Sequence, residues 1–385
     1  MAAEKPKDLF LINGISCLCF NKDFTQCALS QKDSNIYIYK TPNLQDTNSW
    51  TLIHKLTEHL LYVSGIDWNH KTDKIVSCSH DKTSLIWTFE GDKWIPSYSV
   101  GTADASVLFC HWNTEGTKFV QGTGDKKLFI GYSSEKEDGT WWMLWNIKIH
   151  KSSVTCARFS PDSLKVISGS TDNKIIISSC YIDKIDDPLI TDEQKRTAGK
   201  FGEVLYEINT GSWINDVAWS LDGRFSFASS QESKLYIRDL VNGSDTVINS
   251  EFSPITTFVP INNTSFYAVG YDRVIYLYSY QNDKWTMEKT VSSNAKKEQN
   301  QSGQSSAQPF SGSSFTQRPF AFKQGGGVSE VLKKFESSGM KKKTSLVVTT
   351  ESKEGLHSTT ISSVTLKNNE LITTDFAGFV KYWKI

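Results

Sequence analysis

Proline is scarce in this chain, with 9 residues in 385, and methionine scarcer still, with 4. Few prolines leave long stretches free to enter β-ladders, where each missing N–H breaks a pairing. The 7 cysteines, Cys17, Cys19, Cys27, Cys78, Cys110, Cys156 and Cys180, are odd in number, scattered, and nowhere spaced as CxxC. That pattern argues against a zinc site or a disulfide framework and for buried neutral thiols in a reducing compartment. Lys and Arg (42) cancel Asp and Glu (42), so no global field draws the chain onto nucleic acid or an anionic membrane. Nothing approaches the roughly 18 apolar residues of a membrane span, and the opening MAAEKPKDLFLING lacks the apolar run of a signal peptide. There is no GxSxG, no phosphate-binding glycine loop and no spaced cluster of metal ligands, so no enzyme activity, cofactor or metal is expected.

What the chain does have is aromatic residues, at 12% with 12 Trp, and a repeat. Phe20, Trp68, Trp112, Phe159 and Trp219 are each followed thirteen residues later by an acidic residue: Asp33, Asp81, Asp125, Asp172 and Glu232. A sixth unit, Phe258 to Asp272, has one residue more. The aromatics recur at intervals that bracket the roughly 40–45 residues of a WD40 blade. Within a unit, VSGIDWN (63–69) alternates as a strand, KIVSCSH (74–80) forms a second, and SLIW (84–87) a third after a tight turn opened by the acidic residue. A fourth, more variable run precedes the next unit: WTLIHKL (50–56), KWIPSYSV (93–100), WWMLWNI (141–147), EVLYEI (203–208) and KWTMEKT (284–290). Four antiparallel strands per unit, repeated, describe a β-propeller.

The second unit carries His59, Ser77, Asp81 and Trp87. A buried Asp must be paired, and a His together with turn amides can pair it while pinning two loops. The fourth unit keeps His150, Ser168 and Asp172 but has Ser178 in place of Trp; Tyr39, Tyr278 and Arg238 stand there in units one, six and five. These residues are expected to form structural hydrogen-bond networks rather than a catalytic site.

The segment TISSVTLKNNELITTDFAGFVKYW (360–383) supplies three strands of a seventh unit, with Asp375 out of register. No fourth strand follows it, whereas DLFLI (8–12) precedes the first unit with no blade of its own. The expectation is therefore an all-β, seven-bladed propeller, one domain over 1–385, in which the N-terminal strand completes the last blade and removes the free edge.

Two insertions interrupt the repeat. The smaller, YIDKIDDPLITDEQKRTAGKF (181–201), reads as an exposed charged loop with a short helical turn. The larger spans 291–356. Its part 293–327 lacks Ile, Leu, Val, Met, Tyr and Trp and has too little apolar surface to order itself. The Ser/Gln/Phe tract 299–322 lies within it, with Phe310, Phe315, Phe320 and Phe322. In 328–339, Val328, Val331, Leu332 and Phe335 fall on one helical face. About ten residues are too few for a stable free helix, so this stripe is expected to dock, preferentially on a partner.

The opening ISCLCFNKDFTQCAL (15–29), the run HL…VSGIDWN…KIVSCSHDKTSLIWTF (59–89) and the position of the long insert before blade seven carry a more specific resemblance. Over nearly its whole length the chain resembles the WD40-repeat subunit, subunit 1, of the actin-related protein 2/3 complex. That resemblance implies a non-catalytic scaffold in a complex that nucleates branched actin filaments, cytoplasmic and on the actin cytoskeleton. The implied partners are the other subunits, including the actin-related proteins, the actin filament, and nucleation-promoting factor peptides. It also implies that the helix bearing Val328, Val331, Leu332 and Phe335 contacts actin at the branch junction. The alternative is another WD40 scaffold or adaptor, of a coat, nuclear-pore or ubiquitin-ligase assembly.

Overall fold

The computed structural model of the chain describes residues 9–10, 14–101, 103–136, 139–250, 253–291, 357, 359–367 and 370–384. The segments 293–327 and 328–339, with Val328, Val331, Leu332 and Phe335, lie outside the described residues.

The described strands make seven blades of four antiparallel strands each. Their innermost strands are Cys17–Phe20, Val63–Trp68, Val107–Trp112, Val154–Phe159, Ile214–Trp219, Ile255–Asn262 and Ile361–Lys367. Each lies beside the next, and the last returns to the first, so the blades form a closed ring. Closure uses both ends of the chain: Leu9 and Phe10 pair antiparallel with Val380 and Phe379 and complete blade seven from outside.

Among the described residues there is no single central core. Seven apolar clusters fill the seven spaces between neighbouring blades. Each sheet is therefore covered on both faces, and second strands such as Ile75–Ser79 and Phe225–Ser230 are buried at every residue. Hence the second runs read as nearly continuous apolar or small residues, while outer strands alternate. Blade five's outer strand, Ser244–Asn249 (SDTVIN), has only Val247 and Ile248 to signal it, and the hydrophobic pattern passes over it.

Side chains on the innermost strands, or immediately before them, stitch blades together. Ser16 Oγ donates to the Val63 carbonyl (3.2 Å), Ser64 Oγ to Val107 (2.6 Å), Thr155 Oγ1 to Ile214 (2.7 Å) and Asn215 Nδ2 to Ile255 (3.1 Å). In blade three the corresponding residue is Leu108, which cannot donate.

The outer edges are protected in different ways. The outer strands of blades one, four and six each bulge against their neighbour, which twists an edge away from intermolecular pairing. Blade five presents a polar strand. Blades two and three have no such bulge, and their outer strands pair in parallel, Ser99 with Trp142 and Val100 with Met143, fusing two blades into one eight-stranded sheet.

Two expectations need correcting. In blade six the register aligns Pro260, opposite Phe266, with the place Trp68 takes opposite Ile75. Phe258 sits two residues earlier in the ladder, because the hairpin of this blade is shorter than its sequence spacing suggests. The 181–201 insertion is also less exposed than its charge implies. It holds two short helices, Asp183–Asp186 and Asp192–Thr197, the second with a Thr191/Gln194 capping box. Ile182, Asp186 and Ala198 are buried. Asp186 receives Lys118 Nζ of blade three at 2.7 Å, and the same ammonium donates to the carbonyls of Ser163 (2.7 Å) and Cys180 (3.1 Å). Burial raises the Asp186 carboxyl above its ordinary value even with Lys118 beside it.

Candidate functional site

The His and Asp residues singled out by the repeat meet at one end of their blades. In blade two, Trp87 Nε1 donates to Ser77 Oγ (2.9 Å), which is 2.8 Å from His59 Nε2, while His59 Nδ1 lies 3.1 Å from Asp81 Oδ2. A carboxylate only accepts, so this order places the imidazole proton on Nδ1. Asp81 also accepts from the amides of Leu60 (2.8 Å) and Thr83 (2.9 Å). Burial, the largest single influence, raises its pKa, but the bonds from His59, Thr83 and the two amides together hold it well below the ordinary carboxylate range. Blade four repeats the arrangement: His150 Nδ1 is 3.2 Å from Asp172, His150 Nε2 is 2.8 Å from Ser168, and Lys151 N donates to Asp172 at 2.7 Å. Ser178 in the Trp position supplies no indole donor to Ser168 Oγ, and the Ile176 carbonyl, 3.4 Å away, is a second, longer acceptor beside it.

The other blades solve the same turn differently. In blades one and six a tyrosine four residues on replaces His: Tyr37 OH donates to Asp33 (2.7 Å) and Tyr276 OH to Asp272 (2.5 Å). The shared strings D-x-x-x-Y, in DSNIY and DRVIY, are the readable signal for this substitution. Glu232 departs from the expectation, because it is exposed and pairs only with Lys234 (2.9 Å) among the described residues. One methylene longer than Asp, it does not fold back onto the turn amides.

Blade seven holds a third complete network that the spacing conceals. Trp383 Nε1 donates to Thr373 Oγ1 (2.8 Å), His357 Nε2 lies 2.5 Å from the same oxygen, and His357 Nδ1 is 3.3 Å from Asp375. Asp375 follows Thr373 by two residues, whereas Asp81 follows Ser77 by four. It still caps the turn, accepting from the amides of Ala377 (3.0 Å) and Phe379 (2.9 Å), and Gly378 takes φ 98° to close it.

These networks leave little room for chemistry. His59 is 3% exposed and His150 6%, and each has both ring nitrogens engaged within the blade. Among the described residues, no group of three or more His, Cys, Asp or Glu could hold a metal, and no helix is long and apolar enough to cross a membrane.

Partner-facing chemistry lies on the surface. Antiparallel topology puts the turns between second and third strands, and the segments leading into each innermost strand, on one face of the ring. Leu60 (83% exposed) and Trp213 (59%) stand on this face, together with exposed Tyr271 and Phe376. Lys32, Lys82, Lys126 and Lys151 are exposed on the same loops. Val291 and His357, which bracket the long insert, also lie on segments that open on this face. Inside the channel, a mixed belt of Asp67, His111, Arg158 and Asp216 spans blades two to five, with Asp67 accepting from the Trp112 amide (2.8 Å) and Asp216 from the Phe258 amide (3.1 Å). Burial and then Arg158 lower His111 to about 4.

The WD domain, G-beta repeat family matches residues 50–88 and 141–177. Each match starts at or just before the outer strand of one blade and ends on the third strand of the next, and the two include the networks of blades two and four. Actin-related protein 2/3 complex subunit 1A of Arabidopsis thaliana is 31% identical over 265 residues, 67% of this chain and 68% of that protein. Subunit 1A-B of Xenopus laevis is 29% identical over 277 residues, 70% of this chain and 73% of that protein. Subunit 1 of Schizosaccharomyces pombe is 23% identical over 221 residues, 57% and 56% of the two chains.

Proposed function

From the premise that this chain belongs to the actin-related protein 2/3 complex subunit 1 family, we propose that it is a non-catalytic scaffold subunit of that complex, supporting nucleation of branched actin filaments. The carrying observation is the shared sequence over two-thirds of both chains, joined to a ring that offers surfaces rather than a reactive cleft. Its best-formed His–Asp pairs are sealed into turns, an arrangement that stiffens loops and gives a substrate no access.

In this reading the partners are the other subunits, including the actin-related proteins, together with the actin filament and nucleation-promoting factor peptides, and the protein works in the cytoplasm on the actin cytoskeleton. The insert helix with Val328, Val331, Leu332 and Phe335 contacts actin at the branch junction. Exposed Lys32, Lys82, Lys126 and Lys151, on the same face of the ring as Leu60, suit an acidic peptide carrying an apolar side chain. Affinity purification of the tagged full chain from its own cells tests the assignment. Two actin-like proteins should co-purify in stoichiometric amount; their absence overturns it.

A further inference from the structure

The seam between blades two and three is the part of the ring's outer wall with the most to explain. Parallel pairing of Ser99 with Trp142 and Val100 with Met143 sets Tyr98 beside Trp141 on the adjacent row. Trp142 turns inward and is 2% exposed, packed on Trp112 and Phe119. By strand alternation, Tyr98, Val100, Trp141 and Met143 therefore point outward. Tyr98 is 55% exposed, Trp141 47% and Val100 41%. Glu58, itself exposed, receives the Tyr98 hydroxyl at 3.3 Å and has no ion-pair partner among the described residues.

We propose that this seam is a docking surface for an amphipathic helix of a neighbouring subunit, its apolar stripe on Tyr98, Val100, Trp141 and Met143 and a Lys or Arg facing Glu58. The proposal rests on the reading of the chain as a subunit of a larger complex. Three observations select that occupant. The edges of both outer strands are joined to each other at the seam, so an added β-strand finds its hydrogen-bonding groups taken there. The two outward rows are about 6.6 Å apart along the strands, close to the 5–6 Å between helical side chains three or four positions apart. Finally, the two half-exposed aromatics, of about 150–250 Å² each when whole, offer roughly 150–250 Å² between them, to which Val100 and Met143 add less. A standard interface between folded proteins needs about 800 Å² per partner, so the patch alone does not hold a second copy of this chain. Tyr and Trp are also the side chains that carry most binding energy at interfaces.

The test places a photo-crosslinking residue at position 98 of the full chain in the assembled complex, with mass spectrometry of the product. The expected product joins position 98 to the apolar face of a helix in another subunit. A crosslink to a second copy, to residues 328–335 of the same chain, or to no protein overturns the proposal. In parallel, Tyr98→Ser with Trp141→Ser should reduce recovery of the neighbouring subunit about tenfold, with an unchanged thermal midpoint. Val247→Asp on the exposed outer strand of blade five should not. If the wild-type chain recovers no complex, the functional reading fails; if wild type and the double variant recover it equally, only the seam proposal fails.

Discussion

At the residue scale, Asp172 shows how a turn is bolted. Burial, the largest influence, pushes its carboxyl up, but His150, the Lys151 amide and Ser170 bring it down to about 2. A folded-state value below the unfolded value of about 4 contributes stability that is fully present above pH 4 and lost as the pH falls towards 2. Urea midpoints should accordingly be flat from pH 7 to 5 and drop below 4. Asp172→Asn should cost about 2 kcal/mol at pH 7 and show a shallower acid decline; a parallel decline would remove Asp172 from the acid response. His59, Ser77, Asp81 and Trp87 could be picked from the sequence because their spacing follows the repeat. His357 could not, and Asp375 was legible only as an acidic residue out of register. Asp375 has slid two positions upstream, and His357 stands after a long insert that destroys the count. The chemistry survives because a carboxylate can reach the same amides from either position.

At the element scale, the insertion in blade four is held by one buried ion pair. Removing water from Lys118 and Asp186 costs more than a surface pair would, and the raised Asp186 carboxyl records that burial outweighs the attraction. Lys118→Met alone should destabilise by about 3–5 kcal/mol, since it strands a buried carboxyl, whereas Lys118→Met with Asp186→Leu should recover most of the loss. Chemical denaturation of both variants measures the contrast; equal losses would contradict it. The N-terminal strand is a second such case. Among the described residues it pairs through Leu9 and Phe10, and it joins the two ends of a closed ring. Deleting residues 1–12 should lower the thermal midpoint by several degrees, and an unchanged midpoint would show that blade seven closes without it. The need for a closing strand was legible, because unit seven lacks a fourth run. The pairing of blades two and three was not. No local pattern reports that two outer strands, distant in the chain, are brought side by side.

At the scale of the whole molecule, a ring whose seven cores lie between blades has its stability spread around it, and its faces are left for partners. Leu332→Asp with Phe335→Asp should leave the propeller's thermal midpoint unchanged while weakening branch formation in an actin polymerisation assay with the reconstituted complex. Equal branching by this variant would take the proposed helix 328–339 out of the mechanism. By itself the sequence determined the strand order, the number of blades, the closing role of the N-terminus and the location of two His–Asp networks. All of these follow from local spacing and period-two alternation, which are properties of the chain read in order. Only the tertiary structure decided which turns Tyr37 and Tyr276 cap, where Asp375 bonds, how Lys118 reaches Asp186, and which outer edges remain open. The Lys118–Asp186 pair and the joined outer edges depend on residues far apart in the chain, whereas Tyr37, Tyr276 and Asp375 cap turns within four residues of themselves through local backbone geometry that residue type alone does not select.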